Sequence, residues 1–361
     1  MNNDLTETYK VIGLMSGTSQ DGLDIVFCSF YFTDKWHFKI NIAETVAYPE
    51  DIHQLLKDAF YSDKTDLEGK SRIYGEFTGK QVNVFCEKYN INPDFIASHG
   101  HTIFHKPSEG ITVQIGKGDV ISKICGLPVV YDFRSQDVEL GGQGAPLVPI
   151  GDKLLFGGYD FCINIGGFSN ISYDEYIDEK KVRVAFDICP SNIILNELSQ
   201  CMGKDFDKDG EIARKGKINK NLLNDLNNLE YYKLPPPKSL GKEYVNTFFK
   251  PVYANYISNM KIKDMISTYT EHIAIQIARS IKRKGRVLIT GGGAFNKYLI
   301  KRIEYYINEG EIIIPDETLV NYKEAVIFAF MGVLRMIEKV NIYSSVTGAE
   351  RDHCGGRIAT S

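Results

Sequence analysis

The chain has 361 residues, more than one hydrophobic core ordinarily serves, so two domains are expected. Hydrophobic residues make up 43% and charged residues 24%, as in globular proteins, and a net charge of −4 gives no basic field to draw nucleic acid or an anionic membrane. The polar start MNNDLTETYK lacks a signal-peptide core, the run Ala325–Leu334 is too short to span a bilayer, and seven scattered cysteines form neither a CxxC pair nor a zinc pattern, which suits a reducing cytoplasm.

Residues 8–32 predict a hairpin whose turn, SGTSQDG, is longer than strand reversal needs, since Asp21-Gly22 alone would serve. It reads either as a solvated loop or as a grip for an anion, made from backbone N–H groups, hydroxyls and a carboxylate. KWHFKINIAETVAYP continues as a strand, and 52–89 is helical, with Ile73, Phe77, Val84 and Phe85 expected on its inner face. FIASHGHTIFH is expected as a buried strand that runs into a polar loop at His99–His101, followed by strand ITVQIG, helix GDVISKICG and strand LPVVYDF. The Gly/Pro-punctuated LGGQGAPLVP, residues 140–149, marks an expected domain crossing.

FCINIGGFSNISY then repeats the design of the opening hairpin. KVRVAF is a strand expected to end at Asp187, with a helix from about Ile193. The polar stretch Ile218–Lys242, with Pro235–Pro237, reads as a surface loop. DMISTYTEHIAIQIARSIKRKG is a helix with Gly285 as its stop, RVLITGGGAFN a strand ending in a glycine turn, and KEAVIFAFMGVLRMIEK a buried helix. Strands alternating with helices indicate α/β, and the two similar hairpins suggest duplicated lobes around a cleft.

Four glycine-rich turns, SGTSQDG, GGQGAP, INIGGFSN and ITGGGAFN, each follow a strand. None is a Walker A or GxGxxG sequence, yet such turns let backbone approach a phosphate closely. Asp187 reads either as a carboxylate projecting from a strand end or as an N-cap for the next helix. Arg134 and Asp137 read as an exposed ion pair or as a fork for an anion, and Glu324 as dressing of a first helical turn. His99 and His101 flank Gly100, with no third ligand to make a metal site.

GLMSGTSQDGLD, SHGHTIFHKP, VQIG, DFRSQD, GGQGAPLVP, NIGGFSNIS, DKDGEIARKGK, PPKSLGKEY, TGGGAFN, EAVIFAF and the terminal VTGA stand in the order found in anhydro-N-acetylmuramic acid kinases. From about residue 10 to about 349 the chain resembles that family, with GGQGAPLVP and GTSxDGxD the most specific segments. The resemblance implies a two-lobed actin-like ATPase (ribonuclease H-like) α/β fold with a duplicated mixed-sheet core and an interlobe cleft. The expected lobes are 1–131 plus 342–361, and 132–341. It also implies an ATP- and Mg²⁺-dependent cytoplasmic enzyme, a homodimer, that hydrolyses the 1,6-anhydro bond of its amino-sugar substrate and phosphorylates O6 in cell-wall sugar recycling.

By the same resemblance Gly17, Thr18, Ser19, Gln20, Asp21, Gly22, Leu23 and Asp24 grip the triphosphate, with Asp21 orienting Mg²⁺ through water. Gly166 and Gly167 form the second phosphate hairpin, and Gly291, Gly292, Gly293 and Asn296 border the nucleotide. Asp187 is the general base, and His99, Arg134, Asp137 and Glu324 bind the sugar, Arg134 as a fork for its lactyl carboxylate or for phosphate. The family's Asp-Thr-Gly-Pro-Gly-Asn is Asp187-Ile188-Cys189-Pro190-Ser191-Asn192 here, and His101 replaces a glutamine. A left-handed backbone at either lost glycine would cost on the order of 1 kcal/mol. Two other readings stand beside this one: an ordinary hexosamine kinase, in which Asp187 deprotonates a hydroxyl, and a nucleotide- and sugar-binding sensor with weak turnover.

Overall fold

The computed structural model describes residues 7–17, 22–106, 109–307 and 310–361. The chain forms two compact units, Met1–Phe156 with Tyr322–Ser361, and Gly157–Asn321. These boundaries differ from those expected at 131/132 and 341/342. LGGQGAPLVP is not the crossing: the first unit runs on through it and through the helix Pro149–Leu154, whose Ile150 is buried.

In the first unit, β1 (Thr8–Ser16), β2 (Leu23–Phe32) and β3 (Trp36–Val46) form an antiparallel meander. β4 (Phe95–Lys106) lies parallel to β1, and β5 (Ile111–Ile115) pairs antiparallel with the end of β4. β6 (Val129–Tyr131) runs parallel to β4. In the second unit β7 (Phe161–Ile165), β8 (Phe168–Ile177) and β9 (Lys180–Pro190) form another antiparallel meander. β10 (Gly285–Thr290) is parallel to β7, and β11 (Gly310–Ile313) is parallel to β10. β12 (Arg357–Ala359) returns to the first sheet, beside β6.

The sheets therefore read β3-β2-β1-β4-β6 and β9-β8-β7-β10-β11, with the same sense of pairing at every step. That identity of order and direction is the duplicated mixed-sheet core of the expected α/β fold. Continuous apolar runs occupy the central strands, as parallel strands covered on both faces require: Ile12, Leu14, Ile25 and Ile96 in one core, Phe161, Ile163, Val287 and Ile289 in the other.

The helix Lys64–Tyr89 buries only part of the face expected: Phe85 is in the core and Phe77 packs against it, but Ile73 is 49% and Val84 56% exposed. Its buried face carries Ser71, Tyr74, Gly75, Thr78, Gly79, Val82 and Phe85, the i, i+3, i+4 repeat in small residues. Small residues let the helix Gly118–Cys125 come close, since a Cβ on Gly79 would sit 3.0 Å from that of Ile124. The stretch Ile218–Lys242 is not a plain loop. It holds the helix Lys220–Asn227, capped by Asn219 and burying Leu222 and Leu226, then a 3-10 turn that buries Tyr231. Ile281 caps the helix Ile262–Ser280, and Gly285 opens β10 instead of stopping that helix.

Candidate active site

In the first unit four segments far apart in sequence meet around Arg134. His99 and His101 lie within β4 and not in a loop; the strand turns at Gly100, with φ +73°. The His99 Nδ1–H faces the Gly100 carbonyl at 2.9 Å, which leaves Nε2 to accept from Arg134 Nη2 at 2.8 Å and Nε at 3.2 Å. Burial first, and the guanidinium second, hold His99 well below the usual imidazole range. The third edge of the fork, Arg134 Nη1, donates to the Gly144 carbonyl at 2.5 Å. Gly144, with φ +65°, is one of the positions in GGQGAP that a side chain would strain.

Asp137 is not exposed and does not pair with Arg134 side chain to side chain. It is 0% exposed, with Oδ2 accepting from the Gly144 N–H at 2.6 Å and Oδ1 from the Thr347 hydroxyl at 2.7 Å. The GGQGAP turn is thus clamped from one side by Asp137 and from the other by Arg134. Glu324 lies in the electrostatic range of Lys323, Arg134, Asp24 and Asp152, and desolvation, the largest influence, raises its carboxyl above the ordinary value. Its neighbour Lys323 forms a buried ion pair with Asp152 at 2.6 Å.

Gly17 and Gly22 flank the turn of the opening hairpin, while Thr18, Ser19, Gln20 and Asp21 lie outside the described residues. Leu23 is a core residue, and Asp24 Oδ1 accepts from the Thr45 hydroxyl at 2.6 Å. Ser16, the last residue of β1, is held at 2.6 Å from the Tyr48 hydroxyl and 2.7 Å from His101 Nδ1, and Tyr48 continues to Tyr74 at 2.9 Å. Burial pushes His101 down to about 4, so it is neutral at physiological pH.

In the second unit the two glycine turns lie against each other. The β7–β8 turn, Gly166-Gly167, offers its carbonyls to the start of the helix Asn192–Gln200: Gly167 accepts from the N–H groups of Ser191 (2.8 Å) and Ile193 (3.2 Å), Gly166 from that of Asn192 (3.2 Å). Gly291 has φ +81°, and a Cβ there would lie 2.5 Å from Asn164 Oδ1 and 2.9 Å from the Ile165 carbonyl oxygen. Gly292 faces the Asn192 amide, and Gly293 packs on Ile165. Asn296 caps the helix Lys297–Tyr306, accepting from the Leu299 N–H at 2.9 Å.

Asp187 sits inside β9, which continues to Pro190, and the helix after it is preceded by Ser191, so Asp187 is not its N-cap. Its Oδ2 accepts from the Leu240 N–H at 2.8 Å, and among the described residues no hydrogen bond reaches Oδ1. Burial pushes the carboxyl up to about 6, against the opposing pull of the Leu240 N–H. The altered loop beyond it is accommodated. Neither Cys189 nor Ser191 has a positive φ, so the lost glycines incur no left-handed penalty. Ile188 is 2% exposed in the core, and Ser191 hydrogen-bonds Ser169 side chain to side chain.

Residues 9–361 match the sequence pattern of the family described as anhydro-N-acetylmuramic acid kinase. The chain belongs to that family. The kinase of that name from Aliivibrio fischeri is 33% identical over 95% of this chain and 96% of its own length. The one from Caldanaerobacter subterraneus subsp. tengcongensis is 32% identical over 98% and 97%, respectively. The activator of 2-hydroxyisocaproyl-CoA dehydratase from Clostridium difficile with bound ADPNP is 13% identical, with a TM-score of 0.44 over 91% of this chain and 97% of that one.

Within this kinase family member, His99, Arg134, Asp137 and Glu324 gather in the first unit, and Asp187, Gly166, Gly167, Gly291, Gly292, Gly293 and Asn296 belong to the second. Sequence reasoning missed the Ser16–Tyr48–Tyr74 chain and the backbone contacts of Asp187. Tyr48 and Tyr74 carry no local pattern that singles them out, and a backbone N–H such as that of Leu240 has no signature in sequence at all. Thr347 was visible, as part of VTGA, but its task was not. Among the described residues no helix is long and apolar enough to cross a membrane, and no three His, Cys, Asp or Glu side chains cluster to hold a metal ion.

Proposed function

We propose that this chain uses ATP to open the 1,6-anhydro bridge of anhydro-N-acetylmuramic acid and to phosphorylate O6, giving N-acetylmuramic acid 6-phosphate and ADP. The observation that carries the reading is Asp187: one carboxylate oxygen is fixed by Leu240, the other accepts no hydrogen bond among the described residues, and the carboxyl is poised at about 6. A base with that value is ionised at neutral pH and still basic enough to take a proton from water in a transition state. Water adds to the anomeric carbon as its proton passes to Asp187. The C1–O6 bond breaks, and O6 bonds to the γ-phosphorus as the bond to ADP breaks.

Arg134 is assigned to the lactyl carboxylate. Its guanidinium is oriented by His99 and Gly144, so its remaining N–H directions are set before the sugar arrives. His99 and Asp137 serve that arrangement by position, and Glu324, raised by burial, stands near the same guanidinium as a polar partner for the sugar. The β1–β2 turn with Asp24, and the Gly166–Gly167 and Gly291–Gly293 turns with Asn296, are assigned to the nucleotide. Carboxylate oxygens at Asp24 and Glu324 in one electrostatic neighbourhood suit Mg²⁺, which keeps most of its waters and needs no protein cage. Asp21 and Asp24 would hold it through water. Bound Mg²⁺ neutralises charge on the triphosphate. Action in the cytoplasm, as a homodimer, completes the reading.

The test is to incubate the protein with Mg-ATP and the anhydro sugar in ¹⁸O-labelled water and weigh the quenched product. One heavy oxygen at the anomeric carbon of a 6-phosphate is expected. A phosphate on another hydroxyl with the anhydro bridge intact, or product only from ordinary hexosamines, would refute coupled opening.

A further inference from the structure

PPKSLGKEY is one of the segments that mark the family, and the reaction above gives it no task. In the structure, residues 231–240 run beside β9 and touch Asp187 at three atoms. The Asp187 N–H donates to the Lys238 carbonyl at 3.0 Å, the Tyr231 hydroxyl donates to the Asp187 carbonyl at 2.5 Å, and the Leu240 N–H donates to Oδ2. The segment also closes on itself. Lys238 Nζ donates to the Tyr231 carbonyl at 3.1 Å and lies 4.5 Å from the centre of the Tyr231 ring and 5.6 Å from that of Phe186.

We propose that Tyr231 and Lys238 are positioning residues for the base, closing a strap whose Leu240 N–H fixes one carboxylate oxygen of Asp187 and leaves the other for the reacting water. The proposal rests on the reading of Asp187 as general base. Lys238 is half-buried, and an ammonium there is costly unless a carbonyl and ring faces replace its water. Both are present, and both belong to residues that contact or adjoin Asp187. Among the described residues the ammonium makes the direct hydrogen bond between the Tyr231 end of the strap and the Lys238–Leu240 end, which otherwise meet only through Asp187. The other titratable groups facing Asp187 are the Tyr231 phenol and the Cys189 thiol. Burial raises both above their ordinary values, the thiol to about 12, so both stay neutral at physiological pH. Lys238 is the charged member of the strap.

The hydrogen bond from Leu240 favours the ionised carboxylate, so loosening the strap raises the pH at which Asp187 titrates. The full chain, labelled with ¹³Cγ-aspartate, is titrated without ligand, and the Asp187 resonance is identified by its loss in Asp187→Asn. The wild-type midpoint is expected near pH 6. Lys238→Met keeps the stem, Tyr231→Phe removes one oxygen, and both should move the midpoint up by about half to one pH unit. The acid limb of kcat should follow, with kcat down roughly tenfold and KM for ATP unchanged. Lys233→Met, an exposed lysine of the same segment paired with Glu230, should leave the midpoint in place. Unmoved midpoints in both strap variants would overturn the proposal, whatever the enzyme turns over. Moved midpoints in a protein that gives no 6-phosphate would leave the strap standing and refute the reaction instead.

Discussion

Thr347 donates its hydroxyl to Asp137 Oδ1 at 2.7 Å across 210 residues of sequence. That bond and the Gly144 N–H on Oδ2 leave Asp137 with both oxygens engaged in a dry site. Asp137 therefore holds the GGQGAP turn, and through the Gly144 carbonyl it sets where Arg134 points. Asp137→Ala would strand two buried donors, at an expected cost of about 2–4 kcal/mol in unfolding free energy. Thr347→Val, losing one bond to a charged acceptor, should cost about 1–2 kcal/mol. Urea unfolding of both single variants and the double should give less than the sum, because they share one bond. Strict additivity would mean that the bond contributes nothing.

Arg134 engages His99 Nε2 through two nitrogens and Gly144 through the third. Lysine presents a point charge and cannot span that fork. Arg134→Lys should raise KM for the sugar by about two orders of magnitude, the loss of a bidentate charged contact, with KM for ATP little changed. Steady-state kinetics with each substrate varied in turn separates the two, and an equal rise in both constants would remove Arg134 from sugar recognition.

The fold was legible where periodicity and punctuation agree. β1–β2 and β7–β8 showed as paired strands around glycine turns, and the structure has both. The inner face of Lys64–Tyr89 was legible at Phe77 and Phe85 but not at Ile73 and Val84, because close contacts on that face are made by Gly75 and Gly79, which contribute no hydrophobicity to a pattern. Ile218–Lys242 was misread because its helix is short, polar and dependent on packing of Leu222 and Leu226. Individual site residues could be named, but their tasks could not. Whether Asp137 pairs with Arg134 or with Thr347 depends on which turn lies above it, and that is settled by tertiary folding.

Buried neutral His101 makes one acid-side contribution to stability. Its folded value of about 4 lies below the ordinary imidazole value of 6.5, so the unfolded chain binds the proton more readily. The contribution is complete above pH 6.5 and is lost as pH falls towards 4. His101→Gln, which keeps a polar partner for Ser16, should flatten the decline of Tm across that window. An unchanged decline would assign acid lability to other groups, with His99 and His272 the next buried imidazoles to test.

Gly291 cannot take a side chain without displacing Asn164 Oδ1 or the Ile165 carbonyl, and its φ is left-handed. Gly291→Ala should therefore shift the β7–β8 turn and raise Kd for ATP by tenfold or more, a cost on the order of 1–2 kcal/mol. Gly203→Ala is the control for left-handed strain alone: its φ is also positive, and nothing lies within 4 Å of the added carbon. Calorimetric titration with ATP that finds the two variants alike would remove the Gly291 turn from the nucleotide site.

Asp187→Asn should abolish turnover while ATP binding stays near the wild-type level, since the amide cannot accept the proton. The same variant carries an independent signature. The carboxyl is raised from 3.8 to about 6 on folding, so between those values the folded chain holds more protons than the unfolded one. Stability therefore falls as pH rises through that window, and above pH 6 the ionised Asp187 is a standing cost of about 1–3 kcal/mol. Asparagine accepts from the Leu240 N–H without the charge, so Asp187→Asn should melt several degrees above wild type at pH 7.5. The gap should close as pH falls towards 4, where the wild-type carboxyl is protonated. A variant that loses turnover and gains stability in this pH-dependent way has had a desolvated base removed. One that loses both has lost only a structural residue, and the base must then be sought elsewhere.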